Sequence, residues 1–171
     1  MVKVSNVTLS PIVSTNDITL PPYDKHFLED VSFITAMTLV LMGNYSQTGH
    51  FGGPLAYTPY TVALHLIGPE LGGLRYDYRH PKHPYADKFM LAGGHNVPVA
   101  YALWMIFGES LRRKYLETGD DQFLADYSQT LLPIDSLGFR RSAAGMANIL
   151  AENGLEDHPL MEQANVRGIR A

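Results

Sequence analysis

Two histidines in this sequence lie beside glycines in segments that could contact a ligand. His50 belongs to Gly-His-Phe-Gly-Gly-Pro at residues 49–54, and His95 follows two glycines after the apolar run at residues 87–92. Glycine lets the backbone approach a ligand closely, and an imidazole can donate a hydrogen bond or move a proton near neutral pH. The two segments therefore predict proton transfer, or recognition of a ligand that carries oxygen atoms.

Each segment also has a structural interpretation. The glycines around His50 could form only a turn, and His95 could simply cap the helix that follows it. The turn before His95 would connect a strand to a helix, however, and open α/β sheets bind ligands at such turns. The N-terminus of that helix would favour a phosphate.

A third group of histidines gives only a weak indication of a metal site. His80 and His83 form an H-x-x-H pair, with His65 earlier in the chain. Zinc and iron sites recruit three or four ligands from ordered elements, whereas this pair lies in a loop that contains proline. We predict that the chain holds no metal ligands.

Several helices and one strand should position the two glycine-flanked histidines. Apolar residues recur at helical spacing over residues 23–43, with Asp24 as N-cap and Gly43 as the end. Residues 87–92 read as a buried parallel strand, and residues 44–54 and 68–86 as loops. Further helices are predicted from about residue 58, after residue 94 to about 118, over 121–131 and over 141–153.

The composition limits the classes of function. The 171 residues are 46% hydrophobic, enough for one domain, and their net charge of -4 disfavours a nucleic-acid partner. There is no cysteine, which excludes disulfides and thiolate metal sites. Residues 1–22 suit an extended arm and not a signal peptide, and the apolar run at 33–42 is too short to cross a bilayer. We expect a cytoplasmic protein without membrane contact.

Taken in order, the two histidine segments resemble the N-terminal histidine motifs of transketolases. That family has Ser-Gly-His-Pro-Gly-x-Pro and then Asp-Arg-Phe-Val-Leu-Ser-x-Gly-His; this chain has Thr-Gly-His-Phe-Gly-Gly-Pro at 48–54 and Asp-Lys-Phe-Met-Leu-Ala-Gly-Gly-His at 87–95. Leu-Gly-Phe-Arg-Arg at 137–141 is similar to a later family segment. The resemblance spans roughly residues 27–141. It implies an α/β fold, a helix-rich partial thiamine-diphosphate-binding fold with a parallel sheet that partner chains complete.

The resemblance also implies roles for individual residues. His50 matches the catalytic histidine that faces the substrate, and His95 matches the histidine that contacts the cofactor diphosphate. Gly49, Pro54 and Gly94 match cofactor-binding positions that shape the two loops. Residues 23–171 would then be the N-terminal portion of a diphosphate-binding domain. The implied reaction is transfer of a two-carbon ketol unit between sugar phosphates or related polyols.

Two parts of the family's site have no counterpart in the sequence. There is no Gly-Asp-Gly motif to hold Mg2+ and no pyrimidine-binding domain. The chain would therefore be an enzyme only in a hetero-oligomer, sharing thiamine diphosphate and Mg2+ with partner chains that carry the metal ligands. Two alternatives stay open: a non-catalytic interaction or regulatory subunit that keeps the fold, and a fragment of a longer polypeptide.

Overall fold

Three α-helices make up most of the structure, a computed structural model that describes residues 22–80, 82–126 and 130–140. Helix α1 spans Lys25–Ser46, α2 spans Gly52–Leu66 and α3 spans Pro98–Thr118. Four 3-10 turns connect or follow them: Pro69–Leu71, Gly94–Asn96, Asp121–Phe123 and Pro133–Gly138.

Helix α1 begins as predicted but continues past its predicted end. The Asp24 carboxylate accepts a hydrogen bond from the Phe27 N–H at 2.9 Å, which confirms the N-cap. The helix does not stop at Gly43; it ends at Ser46, where Gln47 adopts the left-handed conformation at φ 52°. Gly43 is instead a contact position, because a Cβ there would lie 2.8 Å from the Phe51 ring. A packing glycine was thus mistaken for a helix end.

Helix α2 begins six residues earlier than the predicted start at residue 58, so the loop before it shrinks to residues 47–51. Pro59, one residue after that predicted start, lies inside the helix. The proline near the true start is Pro54, where N–H groups have no intrahelical acceptor and the missing donor costs little. The Gly-Gly-Pro sequence reads as a loop, yet it forms the first turn of a helix.

The core consists of side chains shared between the helices. One cluster joins Val31, Val62 and Leu103, with one residue from each helix. A second joins Leu39 to Val99 and Ala102, and a third joins Met42 and Met105 to Phe139. All of these residues are buried. The three helices therefore form one packed unit, and α3 contributes to every cluster.

The predicted α/β fold with a parallel sheet is wrong for the part of the chain that the structure describes. Those residues are 63% helical and contain no strand. Residues 87–91 are irregular; Phe89 and Leu91 are partly buried, while Met90 is 85% exposed. Because no second strand lies in the described ranges, this apolar run has no ladder to join. Its hydrophobicity reflects two side chains packed inward, and not a strand buried on both faces.

The remaining predictions divide between confirmed, wrong and undescribed segments. The long helix after residue 94 is confirmed to Thr118, and residues 68–80 and 82–86 are irregular apart from one 3-10 turn. The predicted helix at 121–131 is reduced to the turn Asp121–Phe123 in its described residues. The arm at 1–22, except for residue 22, and the helix at 141–153 lie outside the described residues.

Helix α1 is long and apolar enough to cross a membrane by length and composition, although the apolar run at 33–42 alone is too short. About a fifth of its most apolar window is buried against the rest of the fold (22%). Core helices of water-soluble proteins meet the same two criteria, so this property decides nothing about a membrane.

Candidate functional site

The structure brings His50 and His95 together. Their ring centroids are 6.4 Å apart, and the rings are inclined at 70° to each other. Both residues are exposed, and among the residues that the structure describes neither imidazole has a hydrogen-bond or ion-pair partner. We call these two residues the histidine pair. Their nitrogens are available to a ligand that approaches from solvent.

Two helix starts position the histidine pair. His50 lies in the loop at 47–51, directly before α2, and His95 lies in the turn Gly94–Asn96, directly before α3. A helix N-terminus has partial positive charge and favours anions nearby. The amides of Asn96 and Val97 already donate to Gly93 and Gly94 within the turn. The imidazoles are therefore the more accessible donors at this end of the molecule.

A partly buried ring anchors the loop that carries His50. Phe51 packs edge to face on Phe139, with centroids 5.7 Å apart. Gly49 has φ 120°, and a Cβ at this position would lie 2.5 Å from the Phe51 ring. Gly49 therefore meets two needs, a backbone conformation that L side chains rarely adopt and space for the ring. Phe51 stands where transketolases have proline, and here its ring attaches the loop to the core.

The other predicted site residues differ in what they contact. Pro54 is buried in the first turn of α2, so it acts through the helix and not by touching a ligand. Gly94 is exposed, and a Cβ built on it meets nothing within 4 Å. Of the predicted glycines, Gly94 thus faces open space, whereas Gly49 makes room for a side chain of this chain.

Asn96 belongs to the site although the sequence interpretation passed over it. Its side-chain oxygen lies against Gly53, where any Cβ would collide with it. That oxygen is buried and has no hydrogen-bond partner among the residues that the structure describes. The contact holds the start of α2 against the turn that carries His95, which explains how the histidine pair is brought together. The sequence signal that could have indicated Asn96 as a site residue was its position directly after Gly-Gly-His.

Arg140 is the second residue that the sequence interpretation did not assign to the site. Its guanidinium donates to the Thr48 hydroxyl at 3.4 Å and lies 5.7 Å from the centre of the Phe139 ring. Its backbone has φ 57°, which is uncommon for a residue with a side chain. Arg140 brings a permanent positive charge to the loop of His50. The Leu-Gly-Phe-Arg-Arg segment was noticed in the sequence, but as a family resemblance only.

This set of donors fits an anion better than a metal ion. Two imidazoles and one guanidinium can donate hydrogen bonds to phosphate oxygens, and the open space at Gly94 leaves room for them. Within the described ranges no group of three or more His, Cys, Asp or Glu residues could hold a metal. The described residues of this site therefore offer donors for an anionic group such as a phosphate.

His65 is separated from the other histidines by burial. Its Nδ1 donates to the Thr61 carbonyl at 2.7 Å, and its ring packs on Phe89 with centroids 4.8 Å apart. Burial lowers the pKa of His65, and the bond to Thr61 only partly opposes this. Its neutral ring is therefore a core side chain. His83 uses its Nδ1 to accept from the Tyr85 amide at 3.2 Å.

Comparison with known protein families, with curated proteins and with solved structures found no match to this chain.

Proposed function

We propose that this chain is a subunit of a thiamine-diphosphate-dependent transketolase-like enzyme and is incomplete alone. The observation that supports this best is the approach of His50 and His95, which come from two separate motifs to lie 6.4 Å apart at the starts of two helices. A pair of core histidines would be buried and bonded, as His65 is. These two are exposed and have no partner among the described residues.

Each residue of the site would have a role that follows from its position. His95, beside the open space at Gly94, would donate to the diphosphate of the cofactor, and Arg140 would add positive charge at the loop that carries His50. His50 would face the sugar and carry a proton to or from its hydroxyl or carbonyl oxygen. Thiamine diphosphate supplies the electron sink that lets a two-carbon ketol unit leave the donor sugar.

Partner chains are part of this proposal. Mg2+ neutralises the diphosphate in such enzymes and needs oxygen ligands, for which the described residues provide no cluster. The complex is thus a hetero-oligomer in which partners supply the metal motif and the pyrimidine-binding domain. Donor and acceptor would be sugar phosphates or related polyols.

The test is reconstitution of ketol transfer with partner chains that carry a Gly-Asp-Gly motif and a pyrimidine domain. We expect His50→Ala to lower the turnover of the complex by about 100-fold, the contribution typical of one general acid or base. His95→Ala should raise the concentration of thiamine diphosphate needed for half-maximal activity. His26→Ala is the matched control, because that side chain is 94% exposed on α1. Full activity and unchanged cofactor dependence in both site variants would refute the assigned roles.

A second candidate function is an interaction subunit without chemistry, and the surface of α1 favours it. Several large apolar side chains of this helix are exposed, among them Phe33 at 67% and Leu41 at 65%. Such a surface is typical of a protein that binds another protein. If Phe33→Glu with Leu41→Glu abolished assembly of the complex while both histidine variants left its activity intact, the interaction role would replace the catalytic one.

A further inference from the structure

A cavity lies against the C-terminal half of α3, away from the histidine pair. It has a volume of about 650 Å3, within the range of small-molecule sites, and we call it the aromatic cavity. Tyr76, Tyr78, Phe107 and Phe123 form its walls. Phe107 is nine residues beyond the start of α3, which puts the cavity roughly 13 Å along the helix from the turn of His95.

Contacts between the rings hold the wall of the aromatic cavity in place. Tyr78 stacks on Phe107 with centroids 4.0 Å apart and an angle of 25° between the ring planes. Tyr76 packs edge to face on Tyr78 at 4.9 Å and lies nearly parallel to Trp104, at 8° and 6.5 Å. The rings thus support one another in a fixed arrangement. A rigid aromatic wall favours a flat, apolar ligand.

Two buried donors beside this wall have no acceptor among the described residues. They are the Tyr78 hydroxyl and the Trp104 indole N–H. Burial raises the pKa of Tyr78, so its hydroxyl stays protonated and can donate. Both residues line a smaller adjoining cavity of about 250 Å3, and Tyr78 lines both cavities. Buried donors are normally paired, so these two are available to a polar atom that enters the adjoining cavity.

The charges around the aromatic cavity favour an anion. Asp77 and Arg79 form an ion pair at 2.9 Å, and Arg79 also donates to the Gln122 carbonyl, so their charges offset each other. Lys114 lines the cavity and lies 4.0 Å from Glu117, at the limit of an ion pair on the exposed surface. Lys114 therefore offers a positive charge at the rim that a ligand carboxylate can approach.

We propose that the aromatic cavity binds a small planar aromatic carboxylate. The rings of Tyr78, Phe107 and Phe123 would cover the flat body of the ligand, and Lys114 would meet its carboxylate. A sugar phosphate does not suit these apolar walls, so this site differs in ligand class from the histidine pair. The inference does not depend on the proposed transketolase-like function.

Titration calorimetry with 2-naphthoate tests the proposal, with neutral 2-naphthamide as the paired probe. We expect saturable one-to-one binding of 2-naphthoate, about fivefold tighter than binding of the amide. Lys114→Gln should remove this preference. Lys25→Gln is the matched control, because Lys25 is another exposed lysine with a glutamate partner one turn away, at 3.2 Å. Neither lysine is buried, so both variants should fold.

Nuclear magnetic resonance tests whether 2-naphthoate binds at the aromatic cavity. Trp104 is the only tryptophan of the sequence, so its indole N–H gives one resonance next to the cavity. This resonance should shift with 2-naphthoate in the full chain and equally in His50→Ala, which separates the result from the histidine pair. The proposal is overturned by an absence of saturable binding at millimolar 2-naphthoate, by an unshifted indole resonance, or by equal affinities of Lys114→Gln and Lys25→Gln.

Discussion

The histidine pair and His65 show how differently one residue type is used in two regions of this molecule. His50 and His95 lie at helix starts, exposed and without partners among the described residues. His65 lies within α2, bonded to the Thr61 carbonyl and enclosed by aromatic rings from the long connection that follows. All three lie within 46 positions of one another in the printed sequence, yet only burial and bonding distinguish them.

Substitutions in the two regions should therefore have different effects on the stability of the fold. An exposed imidazole without partners contributes little to folding, because its removal leaves no cavity and no orphaned group. A buried imidazole contributes packing and one hydrogen bond, so its removal costs stability. The following experiments test this division, starting with the largest expected effect.

His65→Ala should lower the free energy of unfolding by about 3 kcal/mol, since it empties a buried position and removes the hydrogen bond from the ring to the Thr61 carbonyl. His50→Ala should change it by less than about 0.5 kcal/mol. Urea denaturation followed by circular dichroism measures both. Equal losses in the two variants would remove the distinction between the regions.

Phe51→Ala should cost about 2 kcal/mol, because this partly buried ring joins the loop of His50 to Phe139. The amides of residues 47–51 should also exchange faster with solvent. Tyr85→Ala is the control, since Tyr85 is 80% exposed and should tolerate the change. An equally stable Phe51→Ala variant would mean that the exposed region does not depend on this anchor.

Gly108→Ala should cost about 1 kcal/mol, because a Cβ would meet the Leu131 carbonyl and this overpacking exceeds the gain in helix propensity. Gly94→Ala, beside the histidine pair, should leave stability nearly unchanged because nothing lies within 4 Å of its Cβ. Thermal unfolding of both variants provides the measurement. A less stable Gly94→Ala would contradict the open space assigned to that position.

The smallest effect concerns pH. Because burial puts the pKa of folded His65 below its ordinary value of 6.5, the unfolded chain binds more protons than the folded chain between those two values. Stability should therefore fall as the pH decreases below about 6.5. His65→Leu should flatten this slope between pH 7 and 5, and His26→Leu should not. The carboxylates of Asp77 and Glu109, whose pKa values are lowered by hydrogen bonds from Arg79 and Arg112, contribute only at lower pH.

Part of the site was predictable and part was not. The glycines that flank His50 and His95 indicated segments whose backbone comes close to another group, and the structure places His50 in a loop and His95 in a 3-10 turn. Asn96 and Arg140 were missed because their relevance depends on contacts with Gly53 and Thr48, which are distant in the chain. No periodicity or motif encodes such contacts, since they depend on how helices pack.

Interactions between neighbouring residues made three features predictable: the Asp24 cap, the extent of α3 to Thr118 and the glycines that flank each histidine. Packing between distant segments determines that His50 and His95 meet, that His65 is buried and that residues 87–91 have no partner strand among the described residues. The difference arises from the distance along the chain over which the interactions act. Caps and helical faces arise from interactions within one or two turns, whereas burial and pairing require surfaces that come together only when α1, α2 and α3 pack.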